Sequence, residues 1–110
     1  MVMHSEIQWA ALDGTEMHAV RWQPDCEPKM VLCLIHGLGE HSGRYSAMAE
    51  CFAKVGIEVV SFDLRGHGKS AGARGHSEDF SLMVTDIDDF LNRALVVDLE
   101  KPHFIYGHSL

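Results

Sequence analysis

Apolar and polar positions along this chain switch between a two-residue and a longer period, and the switches mark its elements. Residues Ile7 to Trp22 alternate, imperfectly, on either side of Asp13-Gly14, a dipeptide that favours tight turns. Two strands joined at that dipeptide are expected. Gln23-Pro24-Asp25-Cys26-Glu27-Pro28 follows as a loop with two prolines. Met30-Val31-Leu32-Cys33-Leu34-Ile35 is a continuous apolar run, the mark of a strand buried on both faces as in parallel sheets. Past the glycine-rich stretch His36 to Gly43 the period lengthens. Tyr45, Met48, Ala49 and Phe52 stand at i, i+3, i+4 and i+7 and form one stripe of a helix. Gly56 is placed to end that helix in the left-handed conformation. Ile57-Glu58-Val59-Val60-Ser61-Phe62 reads as the next strand.

A second glycine-rich stretch, Asp63 to Gly75, leads to another helical pattern. Ser77-Glu78-Asp79 has the hydroxyl and acids of a helix start. Phe80, Met83, Ile87, Leu91 and Ala94 supply a buried stripe, with Asp86, Asp88 and Asp89 expected on the solvated side. Pro102 precedes Phe104-Ile105-Tyr106, a short buried strand. Strand, helix and strand make a βαβ unit with a right-handed crossover. The alternation predicts an α/β fold, a mostly parallel sheet with flanking helices. At 110 residues one domain is the ceiling. It divides into a hairpin over 7–22, a βαβ unit over 30–63, a loop and helix over 64–96, and a strand and turn over 103–110. Chemistry in such sheets gathers at the carboxyl ends of the strands, where His36, Asp63 and Ser109 all fall.

Charge and composition remove several classes. A net charge of −7 without a Lys/Arg cluster argues against a nucleic-acid partner. Met1-Val2-Met3-His4-Ser5-Glu6 has neither a basic nor an apolar signal region, and Met30 to Ile35 is too short to span a bilayer. A cytoplasmic location is expected. Cys26, Cys33 and Cys51 are odd in number and lack C-x-x-C spacing, which suits a reducing compartment. Cys33, inside an apolar run, reads as an inert buried thiol. The eight histidines match no zinc spacing, and His36 and His41 are not at i, i+4, so no metal is expected. Gly66-x-Gly68-x-x-Ala71 follows a strand as a dinucleotide fingerprint would. Gly72 and Gly75, however, stand where its phosphate-binding helix should begin. Gly68-Lys69-Ser70 mimics the end of a P-loop, but Asp63 occupies the position of the first glycine. No cofactor is expected.

There remains Gly107-His108-Ser109-Leu110. Gly-x-Ser after a strand is the first part of the Gly-x-Ser-x-Gly nucleophile elbow, whose second glycine belongs one position past Leu110. Alone, it reads as a serine in a turn. Two upstream motifs change that. His36-Gly37-Leu38-Gly39-Glu40-His41-Ser42-Gly43-Arg44-Tyr45 resembles the oxyanion-loop region of monoacylglycerol lipases and lysophospholipases, S33-type members of the α/β-hydrolase superfamily. Asp63-x-x-Gly66-His67-Gly68-x-Ser70 and Arg74-Gly75-His76 fit the same branch in order and spacing.

The resemblance implies the N-terminal part of an α/β-hydrolase fold, truncated at the nucleophile elbow. In the sheet order it implies, the Met30 strand lies between the Ile57 and Phe104 strands. The Phe104 strand is then an apolar edge, a feature that promotes aggregation. Ser109 is implied as the nucleophile, and the backbone N–H groups of Leu38 and Leu110 as the oxyanion hole. Gly37, Gly39 and Gly107 are implied as points of close backbone approach. His36 and His108 are implied as structural or lining residues, and Asp63 as a carboxylate accepting loop N–H bonds. The family's triad runs Ser, then Asp or Glu, then His, so both partners of Ser109 belong beyond Leu110. Two function classes follow. One is a serine hydrolase of small lipid esters, represented here by a front part expected to be inactive alone, with room for peripheral membrane contact through a cap this chain lacks. The other is a short, non-catalytic product, a truncated isoform or interaction fragment that binds a partner or does nothing beyond being made.

Overall fold

The structure is a computed structural model and describes residues 1–74, 80–95 and 101–108. Its five strands are β1 Met3–Ala10, β2 Glu16–Gln23, β3 Met30–Ile35, β4 Ile57–Phe62 and β5 His103–Gly107. They form one mixed sheet in the order β1-β2-β4-β3-β5. The hairpin β1–β2 joins β4 antiparallel, whereas β4, β3 and β5 run parallel. The Met30 strand thus lies between the other two parallel strands, as the resemblance implies. A 3-10 turn at Ser42–Tyr45 leads into α1 Ser46–Lys54; the second helix is α2 Phe80–Leu95.

The continuous apolar runs of β3 and β4 exist because a helix covers each sheet face. Successive side chains of a strand point to opposite faces. Val31, Cys33 and Ile35 of β3 join Val60 and Phe62 of β4 and Met83 and Phe90 of α2 in one core. Leu34, Val59 and Trp22 pack instead with Ala49 and Ala53 of α1. Phe62 is fully buried, and its ring lies 4.5 Å from that of Phe90 and 5.5 Å from that of Trp9. Burying one such side chain contributes roughly 1.5–3 kcal/mol. Gly56 closes α1 at φ +94°, with its N–H donating to the Ala53 carbonyl at 3.1 Å. Cys33 sits in the core, where burial and then the Glu58 carboxylate push its thiol up to about 11.

Three sequence expectations are corrected. Phe80 is 68% exposed, while Phe90, outside the expected stripe, is buried. At 3.6 residues per turn Phe80 lies roughly 90° from the line through Met83, Asp86 and Phe90, the face α2 turns to the sheet. Asp86, expected in solvent, is 3% exposed. It faces Arg65, whose Nε and Nη2 donate to its two oxygens at 2.9 and 3.0 Å. The hairpin turn is a five-residue loop rather than a dipeptide, closed by the Ala11 N–H on the Thr15 carbonyl at 2.9 Å. Arg65 explains that loop too: its Nη1 donates to Asp13 Oδ2 at 2.8 Å and to Thr15 Oγ1 at 2.6 Å. One guanidinium therefore ties the hairpin, the loop after β4 and α2 together. The Ser77-Glu78-Asp79 helix start lies outside the described residues.

Among the described residues β5 is paired on one side only. Phe104, Ile105 and Tyr106 are 51%, 63% and 45% exposed, so the strand is an open apolar edge rather than a buried one. Phe104 and Tyr106 line an apolar groove of about 190 Å³ with Met48 and Phe52 of α1. An open edge of this kind templates pairing with other chains. Ile105→Lys should raise several-fold the concentration at which the chain stays monomeric in light scattering, while changing unfolding stability by no more than about 0.5 kcal/mol. A wild-type chain that is monomeric at every concentration tested would remove the effect. Arg65→Ala should cost about 3 kcal/mol in urea unfolding, because it strands the buried Asp86 carboxylate. Arg65→Met combined with Asp86→Leu should recover most of that loss.

Candidate active site

The chain leaves β3 through His36-Gly37-Leu38-Gly39. His36 is fully buried, and the Leu64 N–H donates to its Nε2 at 2.9 Å. That bond places the ring proton on Nδ1, which donates to the Gly37 carbonyl at 2.7 Å. Burial is the main cause that lowers the pKa of His36 and keeps it neutral. Both ring nitrogens are engaged, so His36 pins this loop to the loop after β4 and is not free to move protons.

Glu40 folds the loop back on itself. Its N–H donates to the Gly37 carbonyl at 3.0 Å, and its Oε1 accepts the Gly37 N–H at 2.8 Å. The same oxygen accepts the Tyr45 hydroxyl at 2.8 Å, and Arg44 Nε lies 2.8 Å from Oε2. The Gly37 N–H first, then the Tyr45 hydroxyl, hold the carboxyl at about 2. In return Tyr45 is pushed up to about 12, by burial and then by Glu40. Gly39 makes the turn at φ +81°, a conformation open to glycine. Among the described residues no acceptor takes the Leu38 N–H. The loop thus presents two unbonded backbone donors, the N–H groups of Leu38 and Gly39, between the anchored Gly37 and Glu40.

The loop after β4 is organised by Asp63, which is 3% exposed. Its Oδ1 accepts the Ser42 N–H at 2.7 Å and the Ser42 hydroxyl at 2.6 Å; its Oδ2 accepts the Lys69 N–H at 2.9 Å. Burial pushes this carboxyl up, but the Ser42 hydroxyl and the two N–H groups outweigh it and hold it below its ordinary value. A Cβ on Gly68, which sits at φ +49°, would meet Asp63 Oδ2 at 2.4 Å. Ser70 completes the loop: its hydroxyl donates to the Asp63 carbonyl at 2.6 Å and accepts the His18 N–H of β2 at 2.9 Å.

The third wall is the end of β5. Gly107 stands opposite Ile35, and the His108 N–H donates to the Ile35 carbonyl at 3.2 Å. His108 Nδ1 lies 3.3 Å from Glu40 Oε1. Ser109 and Leu110 lie outside the described residues. The structure therefore gathers His36, Gly37, Leu38, Gly39, Gly107 and His108 at adjacent strand ends, with Asp63 holding the neighbouring loop. Glu40, Ser42 and Ser70 lie inside the motifs read from the sequence, which assign them no role. Their spacing from Gly37 and Asp63 was the available signal. Among the described residues no three His, Cys, Asp or Glu side chains converge as a metal site requires. An apolar groove of about 250 Å³ between Ile7, Trp9, Val60 and Phe90 is lined by none of these site residues.

The mixed sheet with helices on both faces and a glycine loop at the end of β3 matches the α/β-hydrolase fold of solved structures. The serine aminopeptidase S33 family matches residues 26–110, and the chain belongs to that family. It is 37% identical over 106 residues to the monoacylglycerol lipase of Mycolicibacterium smegmatis, covering 96% of this chain and 38% of that one. It is 43% identical over 61 residues to Protein K6 of vaccinia virus, covering 56% of this chain and 75% of that one. A soluble variant of monoglyceride lipase from Saccharomyces cerevisiae, solved with a substrate analog, superposes with a TM-score of 0.83 at 26% identity. That superposition covers 93% of this chain and 35% of the yeast chain. The chain thus spans little more than a third of the length of the lipases it matches.

Two losses of stability on acidification follow from the buried groups. His36 has a folded pKa below its unfolded one, so the unfolded state binds more protons as pH falls below about 6.5. Its contribution is complete above that value and is lost on the way down to the folded pKa. Asp63, also lowered, adds a second loss beginning below about pH 4. Urea unfolding at pH 7.5, 5.5 and 3.5 should show both steps. His36→Gln should flatten the upper one. Asp63→Asn should shrink the lower one, to which Glu40 also contributes, and cost about 2 kcal/mol at pH 7.5, because its amide NH2 faces the Lys69 N–H as a second donor.

Proposed function

We propose that residues 1–110 supply the nucleophile and oxyanion donors of a serine hydrolase acting on small lipid esters, of the monoacylglycerol or lysophospholipid type. The observation that carries this reading is the pairing of β5 with β3. It sets the residue before Ser109 beside the loop that carries the unbonded Leu38 N–H. In the proposed reaction the Ser109 hydroxyl oxygen attacks the ester carbonyl carbon and its proton passes to a histidine base. The carbonyl oxygen becomes an oxyanion, received by the N–H groups of Leu38 and Leu110. Collapse expels the alcohol, which takes that proton and leaves an acyl-Ser109; water then repeats the sequence, releasing the fatty acid and the serine hydroxyl. Every atom comes from serine, ester or water, so no cofactor enters.

The base is not His36, whose two nitrogens are engaged. On this reading the base and its carboxylate partner come from polypeptide outside residues 1–110. The chain alone is then inactive, since triad losses remove orders of magnitude of rate. No helix among the described residues is long and apolar enough to cross a membrane. Contact with a lipid surface would come from a cap outside these residues. One observation favours a second reading, a short non-catalytic product. Protein K6, three quarters of which is matched, is a relative no longer than this chain.

A fusion separates the two. Residues 1–110 are joined to the part of the M. smegmatis lipase that follows its matched region. A fluorophosphonate should label the fusion and the fusion should hydrolyse a monoacylglycerol. Ser109→Ala should abolish labelling and lower turnover on the order of 10⁴-fold or more. A fusion that melts cooperatively yet stays unlabelled would falsify the hydrolase reading in favour of the second. Labelling and turnover by residues 1–110 alone would show that the base lies within them.

A further inference from the structure

We propose that Glu40 is a positioning residue for the oxyanion site: its carboxylate fixes the loop that carries the Leu38 N–H against the strand end that leads to Ser109. This inference rests on the hydrolase reading for its catalytic meaning, and on geometry alone for the positioning.

Three segments converge on one oxygen. Glu40 Oε1 accepts the Gly37 N–H from the loop and the Tyr45 hydroxyl from the 3-10 turn before α1, each at 2.8 Å. It stands 3.3 Å from His108 Nδ1 at the end of β5. Among the described residues no other side chain bonds both the loop and the end of β5. The loop's remaining anchor, His36, reaches in the other direction, to Leu64. Without Glu40 the Gly37 amide loses its acceptor, and the free donor of the next residue loses its fixed direction.

The charge on Glu40 is compatible with that role. A bare carboxylate beside an oxyanion site would repel the charge that develops there. Arg44 lies on the second oxygen at 2.8 Å and offsets it. Arg44 is itself 67% exposed, so this outer pair adds little to stability. The bonds that matter for position are those made by Oε1. A glutamine can keep them, because its side-chain carbonyl accepts the same donors; an alanine cannot.

The test compares wild type, Glu40→Ala and Glu40→Gln in the 110-residue chain by amide hydrogen exchange. Glu40→Ala should speed exchange at Gly37 and His108 at least tenfold, with Val59, Val60 and Cys33 in the sheet unchanged. Glu40→Gln should restore protection at Gly37. Acceleration spread evenly over β3 and β4 would make Glu40 a general stabiliser and overturn the proposal; so would an unchanged Gly37. In the lipase fusion, Glu40→Ala should lower kcat about tenfold to a hundredfold with KM nearly constant, and Glu40→Gln should recover most of it. An unchanged kcat overturns the catalytic half of the proposal. A fusion without Ser109-dependent activity removes the hydrolase reading instead, and the exchange result still decides whether Glu40 holds the loop.

Discussion

A carboxylate buried at the end of β4 is the constraint on which the neighbouring geometry depends. An ionised Asp63 cannot stay away from water unless its lone pairs are met. It meets that demand with the Ser42 N–H and hydroxyl on one oxygen and the Lys69 N–H on the other. These donors come from the segment after β3 and the loop after β4, so both must fold around it. Ser70 extends the same knot to β2 through the His18 N–H. Gly68 is where the loop passes too close to the carboxylate for any Cβ. The polar residues of Asp63 to Ser70 are thus explained by one buried charge before any chemistry on a substrate is considered.

A second buried carboxylate repeats the device on the far side of the loop. Asp86 meets Arg65, which also holds Asp13 and Thr15. A buried ion pair is weak evidence for net stability, since desolvation opposes attraction, but it is strongly directional. Here it specifies how α2, the hairpin loop and the loop after β4 meet. The two carboxylates leave the β4 loop little freedom, and His36 transmits that rigidity to the His-Gly loop through the Leu64 N–H. The loop that offers the Leu38 amide is therefore held from behind by β4 and from the front by Glu40.

What was legible in the sequence follows from this arrangement. The β3 and β4 runs were plain because both faces are covered and no polar face dilutes the pattern. Gly56 was plain because a helix end in left-handed conformation asks for that residue. The positions of His36, Asp63 and Gly107 at strand ends followed from the order of strands and glycine-rich loops. Asp86 was misplaced because a charge at helical spacing normally faces solvent, and its partner Arg65 lies 21 residues away in the chain. Phe80 and Phe90 were confused because an apolar stripe can be drawn through either, and the sheet, which decides, is not in the helix's own sequence. Glu40 stands three residues after Gly37 and five before Tyr45, a local signal for two of its contacts; its contact with His108 arises only after β5 has paired with β3.

Asp63, His36, Glu40 and Asp86 find their partners among the described residues. Among the described residues Trp9 Nε1, His67 Nε2, Asp89 Oδ2 and His103 Nε2 are buried without a partner, and the Leu38 N–H, the free edge of β5 and the apolar groove beside Phe104 and Tyr106 also stay unmet. Backbone donors and exposed aromatic rings at a sheet edge are groups that folded proteins ordinarily cover. A scaffold that satisfies its own buried charges can hold an oxyanion donor in place independently of where the proton-transfer groups are supplied. On the proposed hydrolase reading, positioning and proton transfer are separable, the first resting on the carboxylates of Asp63 and Glu40.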